Sequence, residues 1–276
     1  MTRLLGFALV AATALPVAAQ RVRYEGGAQV SHGRYEFTEP TTTFSLSTGL
    51  SFELGRFTIR ASLPVWAQDT RLVTSSGVGA IPTGGVRAGR AVSDSGAMGG
   101  RGRMAGKGKV EPPADALTGF ETAIADPLVQ MTASLVRTDR VALRLTGGAK
   151  LPLADTSAFG TGEWDVGGGL GGSLYFGRSF LGVDVAYWHF GDLPELELRD
   201  VASASASFGR VSPSGWGWLG SLRAATTIID GYEPPVSIGV GVSRARGRGM
   251  LGLSLSVGLT ELSPDVAIGT FWTVRL

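Results

Sequence analysis

Two histidines, no cysteine and a scatter of carboxylates are the chain's whole stock of groups for acid–base, nucleophilic or metal chemistry. His189 stands in Tyr187-Trp188-His189-Phe190-Gly191-Asp192 with Asp184 shortly before it, and Ser31 directly precedes His32. With no thiol, any nucleophile has to be a hydroxyl or a carboxylate, and a histidine beside one is the minimum a hydrolase needs. Sequence neighbours on a strand point to opposite faces, however. The histidines therefore read first as polar residues at strand ends, with an outer-membrane hydrolase as the alternative. No tract of His or of acids has metal-ligand spacing, and Gly160 to Asp165 lacks the pattern of a calcium loop. The run GRGRMAGKGK at 100–109 is not a phosphate cradle, because Lys107 precedes Gly108 and no helical pattern follows. No catalytic residue, cofactor or metal is assigned.

A different set of residues is more informative. Glu53, Arg60, Arg144, Lys150, Asp165, Asp184 and Arg223 are isolated charges of both signs, each among Gly, Ser and Thr on the polar side of a two-residue alternation. Such charges suit the wetted wall of a channel, where rings of charge set selectivity. We take these seven as lumen-lining candidates.

The elements that must carry them are strands. In 251–260, Leu251, Leu253, Leu255, Val257 and Leu259 alternate with Gly252, Ser254, Ser256, Gly258 and Thr260, which puts every apolar group on one face. The same pattern runs through 44–54, 141–151 and 235–243, and no stretch has the stripe of an amphipathic helix. It predicts twelve strands near 22–33, 43–54, 57–69, 125–137, 141–152, 164–177, 180–191, 198–210, 215–228, 235–245, 250–260 and 265–276. Connections at 55–56, 138–139, 177–178, 212–214 and 246–249 are tight and the intervening ones mostly longer, as in outer-membrane barrels.

Composition and the N-terminus agree. Arg3, the apolar run Leu4 to Leu15 and small residues at 17–19 form a signal peptide over residues 1–19; the run is too short for a ~20-residue membrane span. Glycine makes up 42 of 276 residues without a three-residue period, which excludes collagen. The absence of cysteine excludes disulfide scaffolds. A formal net charge of +2 argues against a nucleic-acid partner. The expected fold is all-β: residues 20–276 form a single antiparallel transmembrane β-barrel of twelve strands, with ten or fourteen as alternatives, in the bacterial outer membrane. Tyr24, Phe57, Phe176, Trp216, Trp218 and Trp272 lie near strand ends and are expected at the two membrane interfaces, where such barrels collect aromatics. The last segment, Asp265 to Leu276, is an amphipathic strand with an apolar terminal residue, the signal read by the barrel-assembly machinery; Leu276 stands where a phenylalanine is usual.

Several local motifs carry a family resemblance: Lys150, Pro152 and Asp155; Gly160-Thr161-Gly162 with Asp165; Tyr187 followed by Gly191-Asp192; and Ser263-Pro264-Asp265. Over roughly residues 125–276 the chain resembles the outer-membrane β-barrel transporter family labelled for the meta-pathway of phenol degradation, with Leu153-Ala154 where the family has a threonine-glycine pair. The resemblance implies a barrel in the outer membrane and an aromatic or hydrophobic compound as solute.

One segment departs from the pattern. From about 70 to 122 glycine, serine and proline take over, and between 74 and 110 six basic residues face a single acid, Asp94. Two readings stand: a solvated low-complexity insertion, or a basic surface touching lipopolysaccharide phosphates. The function expected from the sequence is passive uptake of a small solute through a barrel without cofactors, its other partners being outer-membrane lipid and the assembly machinery. A barrel enzyme and a structural or adhesive barrel are the alternatives.

Overall fold

The computed structural model of the protein describes residues 21–35, 37–76, 79–83, 119–154, 161–191 and 197–276. The signal peptide expected at 1–19 and most of the loop expected at 70–122 lie outside them. The strands are β1 (Arg21–Gly33), β2 (Thr41–Leu54), β3 (Phe57–Gln68), β4 (Val73–Ser76), β5 (Gly79–Pro82), β6 (Glu121–Ile124), β7 (Leu128–Arg137), β8 (Val141–Lys150), β9 (Asp165–Phe176), β10 (Ser179–His189), β11 (Val201–Val211), β12 (Trp216–Ala225), β13 (Val236–Arg246), β14 (Gly249–Gly258) and β15 (Val266–Arg275).

Twelve of these close a barrel. Each of β7 to β15 pairs antiparallel with the next, β1 pairs with both β15 and β2, and β3 joins β2 to β7. Closure matters because lipid offers no hydrogen bonds, so every backbone amide of a spanning strand must pair within the sheet. The ring strands run from 10 to 14 residues, enough for a tilted strand to cross a bilayer, which takes ~9–11. The tight turns at 55–56, 177–178 and 247–248 carry Gly55, Gly177 and Gly247 at positive φ. These turns, the start of β1 and the end of β15 share one rim, which the usual orientation of such barrels makes periplasmic. Leu276 closes that rim, its amide donating to the Val22 carbonyl at 3.0 Å.

Alternation decides which face meets lipid. Leu251, Leu253, Leu255 and Val257 on β14 are exposed, as are Ile238, Val240 and Val242 on β13 and Val183 and Val185 on β10. A soluble protein does not leave so continuous an apolar surface open; here it is the outer belt. Tyr24, Phe57, Phe176, Trp216, Trp218 and Trp272 also point outward by register, but all six lie near the periplasmic rim and not at two interfaces, because each stands next to a tight turn or beside the paired ends of β1 and β15. Trp272 lies flat over Gly26, where a Cβ would collide with the indole.

Leu255 faces lipid and Ser254 faces inward. Leu255→Arg is expected to lose ~2–4 kcal/mol of barrel stability, the cost of a cation near mid-depth on the lipid face, while Ser254→Arg is tolerated within about 1 kcal/mol. Unfolding of both variants in lipid vesicles measures the difference; equal tolerance would mean the faces are exchanged.

Two departures from uniform pairing bear on the site. Along β3, the periplasmic part pairs with β7 and the opposite end with β6. Pro127, which has no N–H to give the ladder, lies between them and frees Asp126 from strand geometry. Near the other end of β7 the register with β8 shifts between Ser134 and Val136, a β-bulge.

Candidate functional site

A barrel of twelve strands has an interior too wide for a few side chains to fill, unlike one of eight. The inner face here is made of small groups. It carries Ser45, Ser47 and Gly49 on β2, Gly167, Gly169 and Gly171 on β9, Ser203, Ser205 and Ser207 on β11, and Ser254 and Ser256 on β14. Ser254 is exposed and the three β11 serines are half-buried although they point inward. Inward residues keep that exposure only where the lumen is open to water.

The register puts all seven charged candidates on this inner face. The structure then sorts them by partner. Glu53 pairs with Arg23 (2.5 Å), and Arg60 pairs with Glu25 (2.7 Å), whose other oxygen accepts from Ser51 Oγ at 2.8 Å. Arg144 and Asp184 form an ion pair that reaches from β8 to β10 across β9. They can meet because Gly171 lies between them, where a Cβ would collide with both the carboxylate and the guanidinium. The pair therefore lies against the wall instead of projecting into the channel. On the same row Asp184 neighbours Ser205, which neighbours Arg223. Asp184 is engaged by Arg144, and Arg223 has no ion-pair partner among the described residues.

Lys150 and Asp165 differ from the other five: both are only 1% exposed. Lys150 Nζ lies 3.3 Å from Asp165 and 3.4 Å from Asp126, itself 2% exposed, and donates to Thr161 Oγ1. The other Asp126 oxygen accepts the amides of Leu153 at 3.0 Å and Ala154 at 2.8 Å. One cation between two buried carboxylates thus ties the β6–β7 corner, the end of β8 and the start of β9 together at the extracellular rim. Lys150, Thr161 and Asp165, singled out as local motif residues in the sequence, meet in this cluster. Asp126, which completes it, carries no pairing signal in the sequence beyond the Ala125-Asp126-Pro127 break.

Above the lumen the mouth is filled. β4 and β5 form a hairpin, and its flanks are buried in two apolar clusters. Leu72 and Val73 pack with Trp66, Tyr35, Phe37 and Ala125 near β3. Ile81 packs with Trp188, Phe190, Leu198, Val201, Ile228, Ile229, Tyr232 and Leu262. Trp66 faces inward from β3, and Trp188 and Val201 face inward from β10 and β11, four and five strands further round the ring of twelve. The hairpin therefore crosses the mouth. Polar anchors hold it: Gln68 Nε2 donates to the Val73 carbonyl at 2.7 Å, the hydroxyls of Thr41 and Thr70 meet at 2.6 Å and those of Thr74 and Thr83 at 2.7 Å, and Arg71 pairs with Glu121. The sequence reading of this loop as a solvated insertion does not describe residues 70–76 and 81–83, most of which are buried. Tyr35 sits in the same cluster with φ of 49°, and burial pushes its hydroxyl up to about 12.

The two histidines point away from the lumen. His189 is exposed on the outer face, its Nδ1 2.7 Å from Asp200 Oδ1, while Tyr187 donates to Asp200 Oδ2 at 2.6 Å. These two contacts, Tyr187 foremost, hold the Asp200 carboxyl below its usual range. His32 contacts Thr42 Oγ1 at 3.1 Å on the outer face, and Ser31 faces inward. Among the described residues neither histidine hydrogen-bonds a serine, and no three His, Asp or Glu side chains converge as metal ligands.

No family model matches the sequence, and no curated protein matches it. Among solved structures the chain is similar to the COG4313 outer membrane channel from Pseudomonas putida F1, with a TM-score of 0.63 at 12% identity over 95% of this chain and 97% of that one. Fainter likenesses are to the KdgM porin (TM-score 0.49, 4% identity, 92% and 99% covered) and to the CymD monoaromatic hydrocarbon channel (TM-score 0.45, 11% identity, 93% and 88% covered). The first shows a shared fold, and the other two are too distant to add to it. A closed antiparallel barrel with an apolar outer belt places the protein in the bacterial outer membrane.

Proposed function

We propose that the protein is an outer-membrane channel for passive passage of a small solute. The observation that carries this reading is the inner wall: small residues half-exposed to an unfilled lumen, with the Arg144–Asp184 ion pair laid against the wall over Gly171. A structural or adhesive barrel gains nothing from such clearance. The seven charged candidates then divide by role. Glu53, Arg60, Arg144 and Asp184 are largely self-compensated lining, Lys150 and Asp165 hold the rim, and Arg223 presents the uncompensated charge. A weak preference for anions follows, since unpaired charges on a channel wall set selectivity. The resemblance to the phenol-pathway transporters favours an aromatic or hydrophobic compound. Phe180, lying over Gly209, and Phe271, lying over Gly252, supply apolar inner surface for one.

Reversal potentials across a planar bilayer in a salt gradient test the charge assignment. The wild type should favour anions by roughly two- to threefold, and Arg223→Gln should bring the ratio close to one. Replacing Lys150 would not do so through selectivity, because its charge is buried between carboxylates. An unchanged ratio in the Arg223 variant would remove this residue from the conducting path.

A further inference from the structure

The periplasmic ends of β11, β12 and β13 carry an arrangement that solute passage does not use. Arg210 on β11 lies opposite Trp218 on β12, and Trp216 lies opposite Arg244 on β13. All four point outward and are exposed. The Arg244 guanidinium stacks over the Trp216 ring at 5.1 Å, which fixes its plane and leaves its N–H edge free to donate. Trp218 is braced edge-on by Phe208 at 5.3 Å, and Phe208 stacks on Phe176 at 6.2 Å. The two tryptophans thus form a rigid floor with an arginine on each side, about 10 Å apart across two strand spacings.

Charge makes the patch one-sided. Strands β11 to β14 contain no acidic residue, and neither do the turns between β11 and β12 or β13 and β14, whereas Arg246 and Arg248 stand beside Arg244. Among the described residues Arg210 and Arg244 have no ion-pair partner. A guanidinium kept at a membrane interface without a carboxylate calls for an anion, and its planar fork fits phosphate bidentately. The amphipathic indoles on the floor sit at the level where glycerol and ester groups meet water.

We propose that this rim is a binding site for an anionic glycerophospholipid of the inner leaflet, its phosphate held between Arg210 and Arg244 and its glycerol backbone resting on Trp216 and Trp218. The site rests on the orientation of the barrel and not on the nature of the solute, so loss of channel activity leaves it standing. A zwitterionic lipid presents the same phosphate with a cation attached, which the surrounding arginines repel.

Native mass spectrometry of the full-length protein, released from mixed micelles containing equal phosphatidylglycerol and phosphatidylcholine, reads retained lipid directly. The wild type should keep phosphatidylglycerol about tenfold more often, as cations near a lipid surface allow, and high salt should erase the preference. Arg210→Gln with Arg244→Gln should abolish it, Arg210→Lys with Arg244→Lys should keep part of it, and Arg199→Gln at the opposite rim should leave it intact. Equal retention of the two lipids by the wild type would overturn the proposal, as would an undiminished preference in the double Gln variant. Detection of a two-chain species that the double Gln variant loses would also overturn it, by making the patch a contact between copies.

Discussion

Ile81→Asp is expected to turn a mostly closed pore into a mostly open one. Ile81 is the hairpin's contact with the apolar cluster on the β10–β12 side of the mouth, and it is fully buried there. A carboxylate has no partner in that cluster, so docking the hairpin would cost at least ~3 kcal/mol more than in the wild type. A change of that size shifts a docked-to-undocked ratio by about a hundredfold. The barrel wall does not depend on Ile81, because every ring strand pairs with two neighbours without the hairpin. Single-channel recording should therefore show rare, brief openings in the wild type and long openings in the variant, with an unchanged ratio of permeabilities. Identical traces would mean that the hairpin does not close the mouth.

Lys150→Met should produce the largest loss of stability. The lysine is the cation that bridges Asp126 and Asp165, and all three side chains are excluded from water. Removing it takes away the cation that these two buried carboxylates share, a penalty of about 3–5 kcal/mol. Adding Asp126→Asn and Asp165→Asn to the same variant should recover most of the loss. None of these three side chains is then charged, and the side-chain carbonyl introduced in place of the Asp126 carboxylate can still accept the Leu153 and Ala154 amides. Urea unfolding in lipid vesicles gives both values. A Lys150→Met protein as stable as the wild type would show that water reaches the cluster.

Alternation is enough to read the barrel from the sequence, because lipid outside and water inside force each strand to keep a strict two-residue period. The twelve segments, their tight turns and the inward side of Glu53, Arg60, Arg144, Asp184 and Arg223 all follow from it. Pairing does not follow. That Arg144 meets Asp184 depends on Gly171, one of several glycines in a Gly-rich strand, being placed between them by register. The hairpin is hidden for a different reason. Val73-Thr74 and Ala80-Ile81-Pro82 are too short to show a period, and the hairpin is stabilised by clusters that include Tyr35 and Ala125 on one side and Trp188 on the other, all far away in the chain. Asp126 reads as an ordinary turn residue before proline, and only the fold brings it to Lys150.

The central claim is that the lumen passes small solutes. Liposome swelling by full-length protein carrying Ile81→Asp tests it most directly, since it removes the hairpin from the question and leaves only the wall. A small aromatic anion such as benzoate should enter rapidly and a cation of similar size more slowly, and a large oligosaccharide should be excluded. Vesicles that stay impermeable to every one of these solutes, although the barrel is folded and inserted, would contradict the claim.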